Sequence, residues 1–177
     1  MLKNLHRPLW RHRTISRRTK LSIYNASVIP VLLYGAEAWP LNKTLAARID
    51  GFDGRALLKI EGMHWTNHVL DDELQQRTKQ PHASIIAAQK RLRWYGHMRR
   101  LAPEHLTRVI ADFDPKAAGW RRPRGAPRTR WIDVVADDLR QLGFTIADAE
   151  PIAQDRLQWR NLVRLLGSTR PARTRIK

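Results

Sequence analysis

The sequence contains no cysteine, which rules out a disulfide framework and a thiolate metal site. Acids are scarce: 16 Asp and Glu stand against 33 Lys and Arg, and none precedes Glu37. No apolar run approaches the roughly 20 residues that a membrane-spanning helix requires, so no membrane partner is expected. Met1 to His6 leads into arginines instead of an apolar core, so no secretory signal is expected either. Strand-like alternation is absent, as is a glycine-rich phosphate loop followed by Lys and Ser or Thr. No Ser or His stands in a recognisable nucleophile setting, and no cofactor or small-molecule substrate is expected. What remains is a basic chain of a reducing compartment, with a nuclear or cytoplasmic location expected.

Among what is present, charge comes first. The formal net charge is +17 over 177 residues. A compact body so charged repels itself unless a polyanion compensates, which makes nucleic acid, RNA or DNA, the expected partner. The densest basic stretch runs from Gly119 to Trp131 and holds Arg121, Arg122, Arg124, Arg128 and Arg130 with no acid. Pro123 and Pro127 exclude a helix there, and Gly119 and Gly125 let the backbone approach a ligand. Guanidinium forks suit phosphate oxygens, and the bracketing Trp120 and Trp131 offer flat faces to bases or to a core. These arginines are the expected phosphate contacts.

Around this arm the apolar spacing is helical. Leu21, Tyr24, Val28, Val31 and Leu32 share one face, with a kink expected at Pro30 and a stop at Gly35. Asn42 can cap a second helix striped by Leu45, Ile49, Phe52, Ala56 and Ile60, which Gly51 and Gly54 are expected to weaken or break. Asp71 caps a short turn through Leu74. The best-formed helix spans residues 84–100, with Ile85, Ala88, Leu92 and Tyr95 on its apolar face. Lys90, Arg93, His97 and Arg100 line another face, beside Trp94, and form the second expected phosphate surface. Pro103 is expected to start a short helix with Leu106, Val109 and Ile110, ended by Asp114-Pro115. Ile132, Val135, Leu139 and Leu142 stripe a helix stopped by Gly143. Thr145 and Asp148 resemble a capping box for a last helix that begins in earnest near Pro151 and buries Ile152, Trp159, Leu162, Val163 and Leu166. The chain thus reads as all-α: residues 1–62, a connector at 63–114, the arm at 115–131, a helical pair at 132–167 and a disordered basic tail at 168–177.

Two constellations invite a catalytic reading. His64 and His68 have helical zinc-pair spacing, with Asp71 and Asp72 behind them, but Trp65 stands where a zincin has its Glu. Val135-Ala136-Asp137-Asp138 resembles the apolar-Ala-Asp-Asp motif that binds catalytic Mg²⁺ in polymerases. That chemistry needs a strand-turn-strand hairpin and a third carboxylate. The flanks here are helical, so both acids are expected on a solvent face. No metal is expected at either place.

Several segments together resemble the region downstream of the polymerase palm in reverse transcriptases of non-long-terminal-repeat, LINE-like retrotransposons. They are Thr19 to Tyr24, Pro30 to Trp39, Arg91-Leu92-Arg93-Trp94-Tyr95-Gly96-His97-Met98-Arg99-Arg100, the arm through Trp131 with Asp133 and Asp138-Leu139, and Ala153 to Arg160. The resemblance covers about residues 5–166. It implies a thumb-like helical bundle over residues 1–62 and a basic region that holds template, primer or target DNA. It also implies that the palm with its metal-binding aspartates would lie before Met1, leaving a non-catalytic remnant with that palm as a further partner. Tyr34, Trp39, Leu92, Trp131 and Trp159 are expected in the core. Ala126 in place of a second arm arginine, Gly51 with Gly54, and Pro151 depart from the family's pattern and suggest relaxed constraint on a decayed copy. Two rival readings remain: a polymerase component active only beside a separate palm, and a basic helical module that binds acidic proteins.

Overall fold

The structure is a computed structural model that describes residues 9, 10, 12, 14–63, 71–113, 117–120, 124, 125 and 129–167. It is all-α, with no strand among the described residues. In order come α1 (Arg17–Ile23), a π-helical turn (Tyr24–Val28), α2 (Ile29–Leu32), α3 (Lys43–Ile60), α4 (Asp71–Thr78), α5 (Ala83–Arg99), α6 (Leu106–Asp112), α7 (Trp131–Gln141), α8 (Ile146–Gln154) and α9 (Arg156–Leu165). The described chain divides into two compact units. One runs to Ala36 and resumes over Lys43–Ala87; the other takes Glu37–Asn42 and the chain from Ala88 onward.

In the first unit, Ser16 caps α1 by accepting from the Thr19 amide at 3.1 Å. Pro30 makes itself felt one turn earlier, where the backbone widens into the π turn before α2. Leu33 to Gly35 then turn the chain, with Gly35 at φ +67°, the left-handed stop that its spacing predicts. The core gathers Trp10, Tyr24, Val28, Ala56, Leu57, Ile60 and Leu74. Inside it the Tyr24 hydroxyl donates to Asp53 Oδ1 at 2.5 Å. Burial raises the Asp53 carboxyl above its usual range, against the opposing effect of that hydrogen bond. Asp50 accepts from the Ser84 amide at 2.9 Å and from its hydroxyl at 2.8 Å, so α3 supplies the cap at the start of α5.

Several expectations are corrected. α3 is unbroken through Gly51 and Gly54, because burying Ala56, Leu57 and Ile60 offsets a cost of about 1 kcal/mol per glycine. Its first apolar position, Leu45, is exposed. Val31 and Tyr34 lie outside the core at 65% and 84% exposure, since the wider π turn and the turn at Gly35 rotate them away from it. Trp39 is half-buried. α4 continues past Leu74 to Thr78. Pro103 sits in a turn, and α6 starts at Leu106 with the His105 ring as its cap. Leu106, Val109 and Ile110 are all exposed. The last helix is two helices: α8 passes through Pro151, and the break falls at Asp155, whose carboxylate caps α9. The Thr145–Asp148 capping box is present at the start of α8. His64 and His68 lie outside the described residues.

The second unit packs Ala88, Leu92, Tyr95 and Met98 of α5 against Val135 and Leu139 of α7, Ala149 and Ala153 of α8, and Trp159, Leu162, Val163 and Leu166. Arg99 reaches Asp112 at 2.7 Å and Glu150 at 3.0 Å, and Arg108 reaches Glu150 at 3.4 Å. These ion pairs fasten α5 to α6 and α8. Gly143 and Gly167 close α7 and α9 with positive φ.

Candidate nucleic-acid interface

Helix α5 explains itself almost residue by residue. Arg91 is buried, and its Nε and Nη2 both contact Asp138 Oδ2 at 2.7 Å; its Nη1 donates to the Trp39 carbonyl at 3.2 Å. Leu92 and Tyr95 fill the core. The Leu92 carbonyl accepts from Trp159 Nε1 at 2.8 Å. At Gly96 a Cβ would lie 2.1 Å from that same indole nitrogen, so only glycine lets α9 come this close. Met98 and Arg99 are buried.

After those positions are taken, Arg93, Trp94 and His97 remain, all exposed. The Trp94 and His97 rings lie 5.3 Å apart at 37°. No Asp or Glu occurs in α5. Lys90 is half-buried on the same side of the helix. Arg100, expected in this row, is also half-buried and donates from Nη1 to the Ala153 carbonyl at 2.6 Å. Burial pushes its guanidinium below the ordinary arginine value, and Arg156 nearby adds to that shift.

The arm is described only in part. Arg124 is exposed, and Gly119 and Gly125 adopt φ +74° and +85°, the left-handed backbone that favours glycine. Arg121, Arg122 and Arg128 lie outside the described residues. Arg130 is exposed, but its guanidinium meets Asp133 at 3.1 Å while its amide donates to the same carboxylate at 2.9 Å, closing the start of α7. Trp120 is 71% exposed and edge-on to Phe113. Trp131 differs: it packs against the core, and its Nε1 donates to the Glu37 carbonyl at 2.7 Å. The structure therefore sets Arg93 and His97 together on α5 and Arg124 in a separate segment.

The Ala-Asp-Asp motif lies within α7, as its periodicity implies, but only Asp137 faces solvent. It pairs with Arg140 at 2.6 Å. Asp138 is buried against Arg91, which corrects the expectation that both acids are exposed. Burial pushes its carboxyl up to about 6 despite the opposing pull of Arg91. Sequence reasoning missed this pair. The clue available was Asp138 three residues after Val135 and one before Leu139, on the buried side of the stripe. Among the described residues no group of three or more His, Cys, Asp or Glu gathers in metal-binding geometry.

No helix among the described residues is long and apolar enough to cross a membrane. No family model matches the chain, and no solved structure matches it. The chain is similar to an uncharacterized transposon-derived protein of Caenorhabditis elegans, 24% identical over 157 residues. That match takes in 84% of the chain, which spans 55% of the length of the relative.

Proposed function

We propose that the chain is a nucleic-acid-binding helical segment of a retroelement reverse transcriptase, which holds template, primer or target DNA and does not itself join nucleotides. The observation that carries this reading is the charge: 33 Lys and Arg against 16 acids, with α5 presenting Arg93 and His97 outward and no acid among them. A surface of that kind gains affinity by releasing counterions condensed on phosphates. The likeness to a transposon-derived protein supports an origin in a transposable element, and the resemblance of the Arg91 to Arg100 segment supports the reverse-transcriptase part.

The place of Asp137 and Asp138 supports the non-catalytic part of this reading. Both lie within a continuous helix, and the Asp138 carboxylate is taken up by Arg91. Two-metal chemistry needs carboxylates free to share cations. The test pairs fluorescence anisotropy on labelled RNA, single-stranded DNA and duplex DNA with primer extension in Mg²⁺ or Mn²⁺. Binding that weakens with salt, and no extension, is the expected result. Extension that disappears in Asp137→Ala would overturn the non-catalytic part, and no binding to any of the three probes would overturn the whole.

A further inference from the structure

Helix α9 carries Arg156, Arg160 and Arg164 at steps of four residues, and all three are exposed. That spacing sets side chains on one stripe, about 6 Å apart along the axis. The helix buries Trp159, Leu162 and Val163 on another side and holds no Asp or Glu from Arg156 to Leu165. None of the three arginines makes an ion pair or a side-chain hydrogen bond among the described residues. Like charges at this spacing repel, a small cost for each pair.

Three contacts place α9 beside α5. Gln89 Nε2 donates to the Leu166 carbonyl at 3.0 Å, Trp159 Nε1 to the Leu92 carbonyl at 2.8 Å, and Arg100 Nη1 to the Ala153 carbonyl at 2.6 Å. As α5 advances from Gln89 to Arg100 its partners retreat from Leu166 to Ala153, so α5 and α9 are antiparallel neighbours. Gln89, Gly96 and Arg100 form the stripe of α5 nearest α9. Arg93 lies on that stripe, four residues from Gln89 and three from Gly96, and it is exposed. At the far end Arg156 stands close enough to Arg100 to disfavour its charge.

Most acids of this unit are paired with other cations: Asp112 and Glu150 hold Arg99 and Arg108, Asp138 holds Arg91, and Asp137 holds Arg140. Asp155, at the start of α9, accepts from the Leu157 and Gln158 amides. The arginines of α9 therefore outnumber the acid beside them. Beyond Arg93 lie His97 and then Trp94, whose indole is 39% exposed and leans on the His97 ring. An exposed indole gives an unpaired base a stacking face, which a base inside a duplex cannot use.

We infer that the exposed arginine stripe of α9, together with the adjoining exposed face of α5, binds a single nucleic-acid strand, with Arg93, Arg156, Arg160 and Arg164 on its phosphates and Trp94 against a base. This rests on the nucleic-acid reading above, and gives it a ligand class and a surface separate from the arm. Fluorescence anisotropy of the full chain with labelled oligo(dT), oligo(U) and a DNA duplex, over a series of NaCl concentrations, tests it. In the R156Q/R160Q/R164Q variant the slope of log affinity against log salt on the single strands flattens by about 2, roughly 0.7 for each lost contact. Trp94→Ala leaves that slope in place, weakens single-strand binding by about fivefold or more, and leaves duplex binding unchanged. A circular-dichroism melt confirms that each variant folds; should the glutamine variant unfold, R156K/R160K/R164K must keep the wild-type slope. A glutamine variant that binds with the undiminished slope overturns this inference while leaving the broader reading intact. Equal losses on duplex and single strand, with Trp94→Ala silent, overturn the single-strand assignment. Wild-type protein that binds none of the probes sinks the broader reading itself.

Discussion

At Gly96 a single hydrogen separates the α5 backbone from the Trp159 indole. A methyl group there would lie 2.1 Å from Nε1 and 2.4 Å from Cδ1, and the indole cannot retreat without losing its bond to the Leu92 carbonyl. Gly96→Ala is therefore expected to destabilise the protein by about 1–3 kcal/mol, as overpacking does, measured by urea unfolding. An unchanged midpoint would mean that α9 does not sit as described. Asp138 supplies a pH-dependent prediction. Its carboxyl is raised to about 6 in the folded chain by burial, above the ordinary 3.8. The folded state then holds a proton that the unfolded chain has released. Its contribution to stability is fully present below the unfolded value and is lost as pH rises through about 6. The stability of wild type relative to Asp138→Asn is expected to rise as pH falls from about 6 to 4. A difference that stays flat over that window contradicts the account. Asp148 works in the other direction. Its carboxyl is held low by the Thr145 hydrogen bond, so its capping contribution is present above the unfolded value and fades only in stronger acid.

Helices were legible where apolar spacing and packing agree, and less so where a local cost is outweighed by burial. The stripe Ile85, Ala88, Leu92 and Tyr95 is buried as its spacing predicts. Gly51 and Gly54 carry a real propensity cost, but α3 buries enough on its far half to continue through them. At Gly51 a Cβ would meet nothing closer than Arg55 Nη1 at 3.6 Å. Gly51→Ala is expected to stabilise the protein by about 0.5–1 kcal/mol, read as a raised thermal midpoint. A lowered midpoint would show that the glycine answers a constraint other than helix propensity. Pro30 was legible as a disturbance, but not as a π turn, whose extra residue shifts the register of all that follows; hence Tyr34 faces outward. In α9 the sequence carries both the apolar stripe through Trp159 and Leu162 and the four-residue arginine step. Spacing gives which residues share a stripe. It does not give which neighbours take up their charges: Asp138 meets Arg91 and Arg100 meets the Ala153 carbonyl, neither of which is visible from spacing alone.

For the whole molecule, the charge balance sets behaviour more than any single contact. A net charge of +17 favours rapid, salt-sensitive association with polyanions whatever their sequence. The arm remains the densest basic stretch; of its described arginines, Arg124 and Arg130 are both exposed, and Arg130 meets Asp133. The most direct test of the central claim is the salt dependence of binding to duplex DNA for wild type and for the R121A/R122A/R124A variant, measured by anisotropy. Wild-type affinity should fall linearly on a log–log plot, with a slope of roughly −4.5 if five arm contacts are made, and the variant should be shallower by about 2.7. A variant with the wild-type slope contradicts the account, because the arm would then be a solvated linker and not a phosphate-binding element.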